Sequence, residues 1–492
     1  MPHRLAIAIA LAVLAVSTPA RADKATSLTL GQVLSAAVRQ NPDLARASVD
    51  IARANAAAFE ATGIDDWLLA ASIGAFVERN ESVAGNVTGT DSVDVYSVRT
   101  ELSRLLDTGG RFGISFNGRR RKTIFTVVGD QENRDYSGSL ALNFEQPLLR
   151  GRGAKVARGS VKQAKLSTDA ETLRREAQVR DLVRQVIHGF WDVALAWEQL
   201  EIRRSALQLA SERRRITTAA IDAGTVAPTE ALSVEQIIAT REETILNAEL
   251  NITQQSLDLR RLAFLEIGAR AIDLKPSAVL KTTTRAFDES ALIKRAMTNS
   301  PEIAALARQG EGARIEVAVT ENGMLPRLDL SLSFGPTATD STFLNAAERL
   351  GRLRGYSVTA GLSYEQRLEN RSARGGAARA RAQMRRIEVD RRAVEQQIAL
   401  AVARAVKVAN FARRRMQLGE RTIALAQRNI EAEKARFELG RATNFDVLQR
   451  QDELQQAQLR YASATVDFLK AEATIDSLTG DILDKYGIKV AK

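Results

Sequence analysis

Tyr136-Ser-Gly-Ser-Leu-Ala-Leu-Asn-Phe-Glu-Gln146 and Tyr356-Ser-Val-Thr-Ala-Gly-Leu-Ser-Tyr-Glu-Gln366 decide the reading of this 492-residue chain. In both, aromatic or apolar residues alternate with small polar ones, the period of a strand with two unlike faces. Each run is about 11 residues, the length a tilted strand needs to cross a bilayer. The lipid-facing side would carry Tyr136, Leu140, Leu142 and Phe144 in the first strand, and Tyr356, Val358, Leu362 and Tyr364 in the second. Ser137, Ser139, Ala141, Asn143 and Glu145 would face an aqueous lumen.

A helical stretch follows each strand, Ala154–Ile221 and Arg371–Leu439. At ~1.5 Å per residue these are rods of roughly 100 Å, far longer than a globular core requires. The first places apolar residues at Leu182, Val186, Phe190, Val193, Trp197 and Leu200, the second at Ile398, Val402, Ala405, Ala409, Ala412 and Met416. Steps of three and four, 4, 4, 3, 4, 3 in the first and 4, 3, 4, 3, 4 in the second, are coiled-coil seams. Gly224 and Gly440 stop the two rods, glycine being the usual residue just past a last turn. A return helix then begins in each half. Before the strands, Asn41-Pro42-Asp43 is echoed by Asn299-Ser-Pro301-Glu302, so each half opens with a short helix, a proline and a longer helix.

The predicted organisation is two tandem structural repeats. Repeat 1 spans 23–270, with helix 28–62, strands within 67–147, long helix 154–221 and return helix 228–264. A linker covers 271–288. Repeat 2 spans 289–480, with helix 289–322, strands within 326–366, long helix 371–439 and return helix 444–478. Residues 481–492 are a tail. In repeat 2, Leu328, Leu330, Leu332 and Phe334 alternate with polar residues, and a polar loop through Gly351 leads to the Tyr356 strand. Repeat 1 spends more residues at the equivalent place. Val93–Leu105 and Phe112–Phe125 there read either as an extra hairpin around the tight turn Asp107-Thr-Gly-Gly110 or as an extended surface loop. Four or six strands per chain both remain open.

Residues 1–22 read as a cleavable secretory signal. His3 and Arg4 precede the apolar run Leu5–Val16, and Ala20-Arg21-Ala22 has the small-x-small form of a cleavage site. Removing it takes away two arginines and no acids, leaving 68 basic against 59 acidic side chains, +9. These charges are interspersed along helices, which points to solvated faces and away from nucleic acid. After the signal no apolar run reaches the ~18 residues of a spanning helix. Membrane entry would therefore require a closed β-barrel. The chain has no cysteine, and therefore no lipid anchor through one and no disulfide. His188 is the only histidine after the signal. Common zinc and nucleophile constellations cannot be assembled from this set. Neither catalytic, cofactor nor metal residues are expected.

Four or six strands cannot seal a membrane barrel, because the smallest have eight. An open edge in lipid costs several kcal/mol per unpaired backbone group. The expected fold class is therefore a membrane β-barrel plus a long α-helical coiled-coil barrel, closed only in a trimer.

The chain resembles the TolC-type outer membrane efflux protein family. The matching phrases are Leu28-Thr-Leu followed by Asn41-Pro-Asp, Phe144-Glu-Gln-Pro-Leu-Leu-Arg-Gly-Arg-Gly153, Asn370-Arg-Ser-Ala-Arg-Gly375, and Arg436-Phe-Glu-Leu-Gly-Arg-Ala-Thr-Asn-Phe-Asp-Val-Leu448. Their order covers Leu28 to Gly480. The resemblance implies a homotrimeric tunnel in the outer membrane, extending into the periplasm. It would carry small molecules or polypeptides outward from an inner membrane pump and a periplasmic adaptor, without covalent chemistry. It implies adaptor contact at the hairpin tips, Ala223, Gly224 and Thr225 with Leu439, Gly440 and Arg441. It also implies a periplasmic aperture at Asp446, with Gln449 standing where some members carry a second acid. A helix-start acid is the alternative for Asp446. Trp67 stands where repeat 2 has Pro326, the more usual family residue. The competing class is a periplasmic coiled-coil scaffold or adaptor without a barrel.

Overall fold

The computed structural model describes residues 26–79, 89–126, 131–224, 226–266, 272–277, 280 and 285–488. A short strand β1 (Thr26–Leu28) leads into helices α1 (Leu30–Gln40) and α2 (Pro42–Thr62). Four strands follow, β2 (Leu68–Arg79), β3 (Gly89–Leu105), β4 (Arg111–Thr126) and β5 (Gln131–Pro147). Then come α3 (Ala154–Ala157), the long α4 (Gly159–Asp222) and α5 (Thr229–Ala263). Next are β6 (Leu274–Pro276), α6 (Glu289–Asn299), α7 (Pro301–Asn322), β7 (Arg327–Asp340), α8 (Phe343–Gly351) and β8 (Tyr356–Glu365). Helices α9 (Arg371–Glu438), α10 (Asn444–Thr479) and α11 (Asp481–Lys485) complete the described chain.

Two compact units result. One comprises the chain up to Asn41 with Leu182–Phe287 and Ala405–Asp476; the other comprises Pro42–Asp181, Asp288–Arg404 and the chain from Ser477. Helices α4 and α9 contribute residues to both.

The second unit holds one antiparallel sheet in the order β2-β3-β4-β5-β7-β8. Its extra hairpin, β3–β4, is regular sheet: Leu105 pairs Arg111 across the turn, and pairing runs on through Thr100–Phe116. Gly109 takes φ +85° in the turn, and a Cβ there would stand 2.2 Å from the Gly151 carbonyl oxygen. Only glycine combines that dihedral with that approach. Strands β5 and β7 join the halves of the chain, with Leu142 opposite Phe334 and Asn143 opposite Ser333.

Two helix readings change in this unit. The run expected as one helix from 154 divides at Arg158, between α3 and α4. Arg158 donates from Nε to Asp107 Oδ1 at 2.6 Å and from both terminal nitrogens to Asp65 at 2.9 and 3.0 Å. Acids on two distant segments thus hold the break in place. The expected polar loop between the last two strands contains α8. Thr342 caps it by accepting from the Asn345 N–H, and Ala346 is buried, the usual role of threonine at a helix start.

The first unit is helical. Helix α1 starts with a capping box. Thr29 accepts from the Gln32 N–H and Gln32 accepts from the Thr29 N–H. Val33, Leu34 and Ala37 bury its apolar side. Ala196 and Leu200 of α4 pack with Ala248 and Ile252 of α5. Each large side chain buried this way stabilises the fold by about 1.5–3 kcal/mol. Of the α9 seam, Ala405, Ala409, Ala412 and Met416 are buried in this unit, and Ile398 and Val402 are buried in the other. The expected linker contributes β6, which pairs in parallel with β1, Thr26 opposite Leu274. Trp197 Nε1 donates to the Leu274 carbonyl at 2.7 Å and fixes β6 to α4. Residues expected as a tail form α11 in the other unit, with Ile482 and Leu483 buried.

His188 is half-buried, its Nε2 3.1 Å from both the Lys470 carbonyl and Thr474 Oγ1. Burial, aided by the Arg184 and Lys470 charges, lowers its pKa from the ordinary imidazole value, because each disfavours the charged ring. It is a packed helix residue.

Candidate functional site

The sheet register sorts side chains into two chemically opposite faces. Pairs such as Leu102–Ile114, Ile114–Leu142, Leu142–Phe334 and Phe334–Val358 run straight across five strands on one face. Ile73, paired with Val98, extends that face to β2. All eight strand residues singled out from the sequence, Tyr136, Leu140, Leu142, Phe144, Tyr356, Val358, Leu362 and Tyr364, share this side by register. Several are largely exposed, Ile73 at 86% and Tyr356 at 74%. Apolar side chains this dense and this accessible mark a contact surface.

The opposite face is polar. Asn143 Nδ2 donates to Ser115 Oγ at 2.8 Å, and Ser333 Oγ donates to Asn143 Oδ1 at 2.9 Å, linking β4, β5 and β7. Arg99 Nε donates to Asn117 Oδ1 at 2.7 Å on the same side. An open depression of about 540 Å³ lies over Ser72, Arg99, Asn117, Ser137 and Thr337. Strands β2 and β8 end the sheet, and the order closes no ring within one chain among the described residues.

The helical unit brings its two hairpin turns together. Asn444, at the start of α10, donates from Nδ2 to Glu230 Oε2 on α5 at 3.5 Å. Leu448 packs with Ala210, Val234 and Ile238, so α10 sits against both helices of the other hairpin. The Arg213 guanidinium of α4 lies 4.7 Å from the Phe437 ring centre of α9, within cation–π range. Burial lowers the Arg213 pKa, and Glu438 opposes that shift. Gly440 ends α9 with φ +69°; its N–H bonds the Phe437 carbonyl and that of Arg441 the Arg436 carbonyl, a Schellman closure. Gly224 ends α4 likewise at φ +72°. Ala223, Gly224, Leu439, Gly440 and Arg441 are exposed, and Thr225 lies outside the described residues.

Asp446 is held by its own helix start. Oδ2 accepts from the Thr443 N–H and from Thr443 Oγ1, both at 2.8 Å, while the Asp446 N–H donates back to Oγ1 at 3.2 Å. These hydrogen bonds keep its carboxyl below the ordinary carboxylate range, since they favour the charged form. Gln449, one turn on, is exposed.

Residues 292–481 match the family model described as outer membrane efflux protein. The match covers less than half of the chain. Among curated relatives, the alkaline protease secretion protein AprF of Pseudomonas aeruginosa is 27% identical over 225 residues, 44% of this chain and 45% of that protein. The cobalt-zinc-cadmium resistance protein CzcC of Cupriavidus metallidurans is 24% identical over 445 residues, 82% of this chain and 97% of that one. The outer membrane protein VceC of Vibrio cholerae shares the fold, with TM-score 0.62 and 16% identity over 92% of this chain and 96% of that chain.

The sequence reading missed two features of these surfaces. Contact between the hairpins through Asn444 and Leu448 joins residues more than 200 positions apart, and no local pattern signals it. Helix α8 had a local signal, Thr342 three residues before Asn345, in a segment too short to show a full apolar stripe.

Proposed function

We propose that this chain forms a trimeric channel-tunnel of the outer membrane, passing cargo from an inner membrane pump and its periplasmic adaptor to the exterior. One observation carries the reading: a sheet with one apolar and one polar face whose two edges, β2 and β8, are left unpaired within the chain. These edges are 12 residues long in β2 and 10 residues long in β8. Unpaired, they are untenable in lipid, and pairing β2 of one copy with β8 of the next removes both. Three copies of the six-stranded sheet make an 18-stranded barrel, apolar outward and polar inward. The two runs of helices, strands and helical hairpin are read as tandem repeats, preceded by a signal that is cleaved after Ala22.

The exposed turns around Gly224 and Gly440 are the proposed adaptor contacts. Asp446, whose Oδ2 is engaged by Thr443, would offer its other oxygen to the periplasmic aperture. The names of the relatives suggest metal ions and secreted polypeptides as cargo classes to test. Fractionation of an expressing cell, with gel migration of unheated and heated samples, tests the core of the reading. A heat-labile trimer in the outer membrane fraction with single-channel conductance in planar bilayers is expected. A soluble monomer would end it in favour of a periplasmic scaffold.

A further inference from the structure

Helix α8 roofs an indentation in the apolar face. Gly118 and Gly138 are register partners on β4 and β5, and leave a strip of that face without side chains. α8 lies over it: the Phe343 ring meets Tyr136 edge-on at 6.4 Å, and a Cβ on Gly138 would stand 3.4 Å from Leu350 Cδ2. Between helix and sheet remains a cleft of about 410 Å³, walled chiefly by Val98, Phe116, Phe343, Ala347 and Leu350. That volume is in the range of small-ligand sites.

Arg119 and Arg120 both line the cleft, and Arg120 does so from the apolar side of β4. Arg120 follows Gly118 on the same side of β4, opposite Tyr96 on β3 and Tyr136 on β5. Its guanidinium carbon is 5.9 Å from both tyrosine ring centres. The two ring faces hold the group between them. Among the described residues it has no hydrogen-bonded acceptor. Asp94 attracts it, but the Asp94 carboxylate is hydrogen-bonded to Arg79, and Lys122 is paired with Glu132 at 3.3 Å. Along this side of β4 the chain passes from Phe112, Ile114 and Phe116 to Arg120 and Lys122 within a few residues. Hydrocarbon gives way to charge at the level of the cleft.

We infer that the cleft binds one acyl chain of a phosphate-bearing membrane lipid, the chain beneath α8 and the phosphate on Arg120. This rests on the reading that the apolar face meets lipid. Apolar walls select hydrocarbon, and an open guanidinium beside them selects an anion joined to it.

The test uses full-length protein in phosphatidylcholine vesicles containing a minor share of phosphatidylglycerol or lipid A, each with a photoreactive acyl chain. Crosslinks are mapped by mass spectrometry, and conductance is recorded in parallel to report insertion. Labelling is expected on α8 and Phe116. Preference for the anionic lipid over phosphatidylcholine should be about fivefold, which corresponds to about 1 kcal/mol for one arginine near a membrane surface. Whichever anionic lipid labels more strongly identifies the source. Arg120→Gln should bring the preference near parity while α8 is still labelled, and Ala347→Trp should abolish labelling of α8. Even labelling over the whole apolar face, an unchanged preference in Arg120→Gln, or full competition by millimolar inorganic phosphate would overturn the site and leave the channel standing. Protein that stays outside the bilayer removes both.

Discussion

Arg241 of α5 donates from Nη2 to Asp452 Oδ1 of α10 at 2.6 Å while its Nη1 donates to the Ala206 carbonyl of α4 at 2.5 Å. Arg241 is 5% exposed and ties three helices of the two hairpins. Asp452 is half in solvent, so the arginine is the member that depends on the pair.

Removing the acid should therefore hurt more than removing both charges. Asp452→Ala leaves a buried cation with one neutral acceptor, at a cost on the order of 2 kcal/mol. Arg241→Met with Asp452→Ala keeps the packing volume and should recover part of that loss. Chemical denaturation of the purified protein measures both, and equal destabilisation by the two variants would contradict the ranking.

Asp446→Ala removes an acceptor for the Thr443 N–H and hydroxyl. Faster amide exchange confined to the first turn of α10 is expected, with the fold intact and leak conductance modestly changed. The sign with pH follows from the depressed carboxyl. Its contribution is full above the ordinary carboxylate value and is lost as pH falls through the lowered one. Conductance unchanged beside altered exchange would confine Asp446 to helix capping.

His188 makes the middle of α4 sensitive to mild acid. Its folded pKa lies below the unfolded value, which is about 6.5. Stability is therefore full above the unfolded value and falls as pH drops toward the folded one. One proton limits the slope to about 1.4 kcal/mol per pH unit. His188→Gln should flatten this part of the stability profile between pH 7.5 and 5, and a profile that keeps its slope would assign it to other groups.

Gly440→Val forces a β-branched residue into φ +69°, although nothing lies within 4 Å of the new Cβ. The left-handed backbone alone costs roughly 1–2 kcal/mol at the turn. Asparagine tolerates that conformation and should be nearly silent. Copurification of the adaptor and transport are expected to fall for valine alone. Normal transport by Gly440→Val would remove the tip from the adaptor contact.

How much of this was legible depended on whether a feature repeats along the chain. Strand period two at Tyr136–Gln146 and the three-four steps from Ile398 to Met416 are local, and the sheet face and buried seam follow from them directly. The extra hairpin was readable as an alternative because Asp107-Thr-Gly-Gly110 carries turn chemistry, but only pairing of Thr100 with Phe116 makes it sheet. Arg158 interrupts a good helical pattern without proline, because Asp65 and Asp107 reach it from 93 and 51 positions away. β6 is three residues long and gains its place from Trp197. Tyr136 and Gly138 supply the surface that α8 covers, and nothing inside 343–351 announces them. For Asp446 the sequence allows both an aperture acid and a helix-start acid, and Thr443 occupies one of its oxygens.

Because Leu142 finds Phe334 across the seam between β5 and β7, four strands must wait for nearly two hundred residues of later chain before their inner border is covered. Such long-range pairing forms slowly, and its bare border is sticky meanwhile. Until β7 arrives the chain carries a bare strand edge on β5, and splitting the gene between the halves would yield two fragments that each present a raw strand to everything around them.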